Sequence, residues 1–195
     1  MLETSTSLLR QLRAGNDAGA WGRFVSLYTP YLYGWLLRQG VQHADAEDLV
    51  QETLAVVAGQ VKRFEHNHRL GAFRCWLRRT LVNQLRVLRR SQKVRSTTLA
   101  NSAHLLSLAE ALEDPKGSLA RIWEHDHDRY VVRKLLERIE PDFQPSTWQA
   151  FRLAVLQGTE PEQVAAELGI SVDSVYAAKS RVLKRLRQEA EGLLD

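Results

Sequence analysis

The residues best suited to metal or acid–base chemistry stand in WEHDHDRY, where His125, Asp126, His127 and Asp128 follow one another. Side chains at adjacent positions scatter around a helix instead of converging on one face. No HExxH pair, glycine-rich phosphate loop or nucleophile motif accompanies them. We therefore expect no catalytic residue, no metal and no cofactor, and read this stretch as a polar helix start. The arginines offer a different chemistry. From Lys62 to Arg95 the chain places Arg63, Arg69, Arg74, Arg78, Arg79, Arg86, Arg89, Arg90 and Lys93, with Glu65 as the one acid among them. A second cluster, Lys179, Arg181, Lys184, Arg185 and Arg187, lies near the C-terminus. Two basic patches separated by a less basic middle suit two contact points on one long polyanion.

Against this basic background, DAEDLVQETL at residues 45–54 carries four carboxylates, Asp45, Glu47, Asp48 and Glu52. Three of them would favour a helix N-terminus in any case. In a chain suited to hold a polyanion, charge alone gives no further reason for such a helix.

These residues belong to a chain of 195 with net charge +4 and pI near 9.4, 44% hydrophobic and 26% charged. That suits one medium domain or two small ones. Met1-Leu2-Glu3-Thr4 lacks the basic start and apolar core of a targeting signal, and no run approaches the roughly 20 apolar residues of a membrane span. A cytoplasmic protein is expected. Cys75 stands alone, which excludes an intrachain disulfide and fits a small buried apolar residue.

Helical periodicity positions everything, and no alternating strand is evident. Trp21, Phe24, Val25 and Tyr28 predict a helix capped at Asn16 or Asp17, and Pro30 opens a second with Tyr31, Leu32, Trp35 and Leu36 up to Gly40. A third starts near Asp45, burying Ala46, Leu49, Val50, Thr53, Leu54 and Val57. The fourth, about 71–90, buries Phe73, Trp76, Leu77, Leu81, Leu85 and Leu88 with most arginines outward. From Ser91 to Ser118 the pattern weakens into a linker with room for one short helix. Helical spacing resumes at Val132, Ser146 caps a further helix, and Thr159-Glu160-Pro161-Glu162 reads as a capping box.

QVAAELGISVDSVYAAKSRV then has the spacing of a helix-turn-helix. Ala165 is small where the helices cross, Gly169 permits a left-handed turn, Val164, Leu168, Ile170 and Val175 form the wedge, and Ser171 caps the second helix. Its outer face offers Asp173, Ser174, Tyr176, Lys179, Ser180, Arg181, Lys184 and Arg185, the first turn for base edges and the later cations for phosphates.

LYTPYLYGWLL, HADAEDLVQET, FRCWLRRTLVNQLRVLRR and VAAELGISVDSVYAAKSRVLKRLRQE, in this order, resemble a bacterial RNA polymerase sigma factor of the extracytoplasmic-function (ECF) group. The resemblance implies an all-α protein with two small domains: region two over 1–92, a flexible linker over 93–120 and region four over 121–195. It implies core RNA polymerase and promoter DNA as partners, leaves room for an anti-sigma protein, and assigns no catalysis. Asp45, Asp48, Gln51 and Glu52 would meet the clamp helices of the largest polymerase subunit. Phe64, His66, Asn67, His68 and Arg69 would line the loop that holds an unstacked base of the minus-ten element, and Arg74, Arg78, Arg79, Asn83 and Arg86 would receive duplex DNA. The second helix of the helix-turn-helix, with Ser171, would read the minus-thirty-five element. Linker acids Glu110, Glu113 and Asp114 would enter a nucleic-acid channel of the polymerase. A helix-turn-helix repressor acting without polymerase is the alternative; it leaves the acidic and basic helices without a joint explanation.

Overall fold

The computed structural model describes residues 8–15, 18–64, 71–94 and 99–194, and among these every regular element is helical. The chain divides at Val131 into an N-terminal unit, residues 8–131 with 192–194, and a C-terminal unit, residues 132–191. No described helix is long and apolar enough to cross a membrane.

The N-terminal unit opens with a helix that the periodicity did not announce, α1 (Leu8–Ala14), which buries Leu8, Leu9 and Leu12. The expected caps Asn16 and Asp17 lie outside the described residues. Next comes α2 (Ala18–Arg38), a single helix with Pro30 in its interior, where two helices were expected. A proline there removes one backbone hydrogen bond and costs about 3 kcal/mol. The helix survives because one unbroken apolar stripe, from Phe24 and Tyr28 through Tyr31 and Leu32 to Trp35 and Leu36, is buried along both halves, while Pro30 itself is exposed. Helix α3 (His43–Gln60) buries the six residues expected of it, and α4 (Ala72–Val94) buries Phe73, Leu77, Leu81 and Leu85. Trp76 and Leu88 stay half-buried.

The described part of the stretch expected to be a loose linker is largely helical. Helix α5 (Leu99–Glu113) lies against α4, burying Leu105, Leu108, Ala109 and Leu112 at helical spacing. Helix α6 (Ser118–Ile139) starts far earlier than Val132, and its first half belongs to the N-terminal unit. Trp123 is fully buried, its ring 4.9 Å from Trp35 in a T-shaped pair and 5.2 Å from Tyr31, whose hydroxyl donates to the Trp123 carbonyl at 3.2 Å. Such aromatic pairs contribute about 0.5–1.5 kcal/mol beyond their burial.

WEHDHDRY is therefore the middle of a packed helix, and His127, expected in a polar helix start, is completely buried. It is tolerated there because both ring nitrogens have partners: Nδ1 lies 3.0 Å from Asp128 Oδ1 and Nε2 lies 3.1 Å from the Tyr28 hydroxyl. Burial pushes the imidazole below its ordinary value of 6.5, against the opposing pull of the hydrogen bond to Asp128. The neutral ring donates through Nδ1 and accepts from Tyr28. The unfolded chain thus takes up a proton more readily than the folded one. The stabilisation from neutral His127 is complete above about pH 6.5 and declines as pH falls toward the lower folded value. Melting curves between pH 7.5 and 5.5 are expected to show this decline in the wild-type protein and a flatter profile in His127→Gln. Parallel profiles would remove His127 as its source.

In the C-terminal unit, the last turns of α6 are followed by α7 (Pro145–Phe151), a π-helical turn (Arg152–Leu156), α8 (Pro161–Leu168) and α9 (Val172–Ala190). Both expected caps shift by one or two residues: Gln144 and Glu160 are the N-caps, with Pro145 and Pro161 at the first helical position. Proline's fixed φ starts these helices, so Ser146 is already inside α7, while Thr159 falls before the cap and Glu162 at the second helical position instead of the third that a capping box needs. The turn behaves as expected. Gly169 adopts φ +64° and Ser171 Oγ accepts from the Ser174 amide at 3.2 Å. Val164, Ala165, Val175 and Ala178 form the wedge with Ala150 and Leu153, while Ile139, Phe151 and Val182 make a second cluster.

Candidate nucleic-acid interface

On α3 the exposed residues Asp48, Gln51 and Glu52 recur at three and four positions and share one face. They line a groove with Gln84, Val87, Leu88 and Ser91 of α4. Val87, 52% exposed, is one of the few large apolar side chains left open to solvent. The sequence reading missed it; an apolar residue one step off the buried stripe of a basic helix was the available signal. Asp45 stands apart from this set because its Oδ2 accepts from Asn101 Nδ2 of α5 at 2.9 Å.

The arginines of α4 fall into two groups, which helical periodicity alone did not separate. Arg74 and Arg78, expected outward, turn inward. Arg78 is buried, 3.6 Å from Glu124, and Arg74 donates to Asp128 at 2.7 Å. The carboxylates come from α6, some fifty residues along the chain, and no local rule places them. Cys75 sits between these arginines and donates to Glu124 at 3.8 Å; burial, then the Glu124 charge, raises its thiol above the ordinary value and keeps it protonated.

The second group points away from the core. Arg79, Asn83, Arg86 and Arg90, spaced by four, three and four residues, run in one line along the helix. Arg79, Asn83 and Arg90 are exposed, and Arg90, a member of the first basic patch, was not among the residues that the resemblance assigns to duplex DNA. Arg86, a third exposed at its side chain, forms a two-pronged pair with Glu113, at 2.9 Å from Nη1 and 2.5 Å from Nη2.

Phe64 is not poised for stacking on a base. It is buried, 5.0 Å from the Trp76 ring and 5.8 Å edge-on to Phe73. His66, Asn67, His68 and Arg69 lie outside the described residues. Where the chain resumes, Gly71 has φ +73°, and a Cβ there would run into the Arg74 guanidinium. Asp128 holds that guanidinium in place.

In α9 the cap occupies Ser171 and Ser174, whose hydroxyl oxygens are 2.8 Å apart. Asp173, Tyr176, Ser180 and Lys184 follow at three- and four-residue spacing, all exposed, with Lys179 and Arg181 exposed on the flanks. Tyr176 is 50% exposed. Arg185 does not join them. Its Nε and Nη2 reach Asp142 at 3.1 Å and its Nη1 reaches buried Glu189 at 2.5 Å, so it ties α9 to the turn before α7.

Two comparisons bear on these surfaces. Residues 24–94 match the family model of sigma-70 region 2. Over 169 residues the chain is 26% identical to the ECF RNA polymerase sigma factor SigE of Mycolicibacterium smegmatis, covering 86% of this chain and 60% of that protein. The chain thus spans about 60% of the length of this curated relative.

Proposed function

We propose that this chain is a sigma factor of the ECF group, a reading its two matches support, and that it binds core RNA polymerase in the cytoplasm and directs it to promoters without catalysis of its own. Segregation of charge in the N-terminal unit carries this reading. Exposed carboxylates and Val87 stand at one groove, while a line of cationic and amide side chains runs beside it along α4. An acidic, partly apolar groove suits a basic protein surface, so Asp48, Gln51 and Glu52 take the polymerase contact, with Asp45 at its margin. The stripe from Arg79 to Arg90 suits a phosphate backbone. We assign the minus-ten element to this stripe and to residues 65–70, with Phe64 and Arg74 placed on either side of them in sequence and Arg78 as a buried support of α4. The capped helix α9 takes the minus-thirty-five element in the major groove. Asp173, Tyr176 and Ser180 face the bases, and Lys179, Arg181 and Lys184 face phosphates. An anti-sigma protein is compatible with the same surfaces.

Transcription from a library of random promoters, with purified core polymerase from the source organism, tests the assignment. Initiation that requires the protein and converges on two spaced sequence elements is expected. Specific duplex binding with no initiation would favour a repressor instead.

A further inference from the structure

The pair between Arg86 and Glu113 interrupts the stripe of α4 at its centre. Glu113 is the last residue of α5, a helix with no basic residue in its last turn, and Asp114 follows directly. Negative charge at a helix C-terminus opposes the macrodipole, so the position is unfavourable for α5 itself. It becomes favourable through α4. The Arg86 hydrogen bonds, and then the charges of Arg86 and Arg79, hold the Glu113 carboxyl below the ordinary carboxylate range. Glu113 is therefore ionised at any physiological pH. It is also exposed. Two parallel N–H to oxygen bonds are also how a guanidinium grips a phosphate.

Resting on the DNA reading of α4 above, we propose that Glu113 is a built-in competitor for DNA phosphate: its carboxylate occupies Arg86 in the free protein, and DNA engages the full Arg79–Asn83–Arg86–Arg90 stripe only by displacing it. Glu113 thus sets the strength of backbone binding. It keeps the central cation of the stripe from holding DNA indiscriminately, and it yields where neighbouring contacts align a phosphate. The family resemblance alone would have sent this acid into a polymerase channel.

The full-length protein is titrated into a fluorescently labelled forked duplex of mixed sequence across a salt series. Glu113→Gln is expected to bind roughly fivefold tighter at low salt, with the slope of log affinity against log salt steeper by about one unit, because one more phosphate contact forms without a competitor. Arg90→Ala is expected to weaken binding and make the slope shallower by about one unit. Adding Glu113→Gln to Arg86→Ala is expected to change nothing further, since the contested cation is gone. Wild-type affinity and slope in Glu113→Gln, beside weakened binding in Arg79→Ala, would overturn the competitor while leaving α4 as a DNA helix. The same gain in the Arg86→Ala background would also overturn it, reducing Glu113 to a general repulsive charge. If Arg79→Ala, Arg86→Ala and Arg90→Ala all bind like wild type, the DNA reading of α4 fails and the competitor with it.

Discussion

Trp123→Ala is expected to destabilise the N-terminal unit by about 3–5 kcal/mol, the range for removing a large aromatic side chain from a packed core. The indole is fully buried, and its removal strands Trp35 and Tyr31, each within about 5 Å ring to ring. It also loosens the first half of α6, which carries Glu124 to Arg78 and Asp128 to Arg74. A domain stabilised by 5–15 kcal/mol loses a large part of its margin in this way. Urea unfolding followed by circular dichroism measures the effect. A loss below 1 kcal/mol would mean that α6 does not close the aromatic cluster and that residues 93–120 behave as the loose linker the composition suggests.

Reversing the charge of the groove, with Asp48→Lys and Glu52→Lys together, is expected to weaken core polymerase binding about 100-fold, nearly 3 kcal/mol. Like charges would then face each other across the proposed contact. Both residues are exposed on α3, so thermal stability should stay within about 0.5 kcal/mol of wild type. DNA binding through α9 should not change. Fluorescence titration with core polymerase at two ionic strengths would show it, and the loss should shrink in high salt. Unaltered polymerase affinity would remove the acidic helix from that interface and leave its charge to the helix N-terminus alone.

How much of this could be read from the sequence follows from the range of the forces involved. The buried face of α3, the left-handed Gly169 and the Ser171 cap are fixed by neighbours within one or two turns, and periodicity and capping rules find them. Pro30 misled because the rule for proline is local, whereas the stripe that overrides it is tertiary. The inward turn of Arg74 and Arg78, and of Arg185 on α9, depends on carboxylates distant in sequence. A charged residue at helical spacing looks the same whether its partner is a phosphate or a buried glutamate. The linker was more legible than it was taken to be: Leu105, Leu108, Ala109 and Leu112 carry helical spacing under a screen of serine, asparagine and alanine.

The sequence signature and the cooperative unit have different boundaries. The family match stops at Val94, but α2 is covered along its second half only when Trp123 and His127 arrive. A chimaera joined at residue 94 would take α2 with Tyr31 and Trp35 laid open and would inherit from its new neighbour whatever carboxylates happened to face Arg74, Arg78 and Arg86. One joined after Val131 would carry its own aromatic closure and its own counter-charges. Modularity in this protein, the freedom to exchange one half for another, is set by where that closure ends.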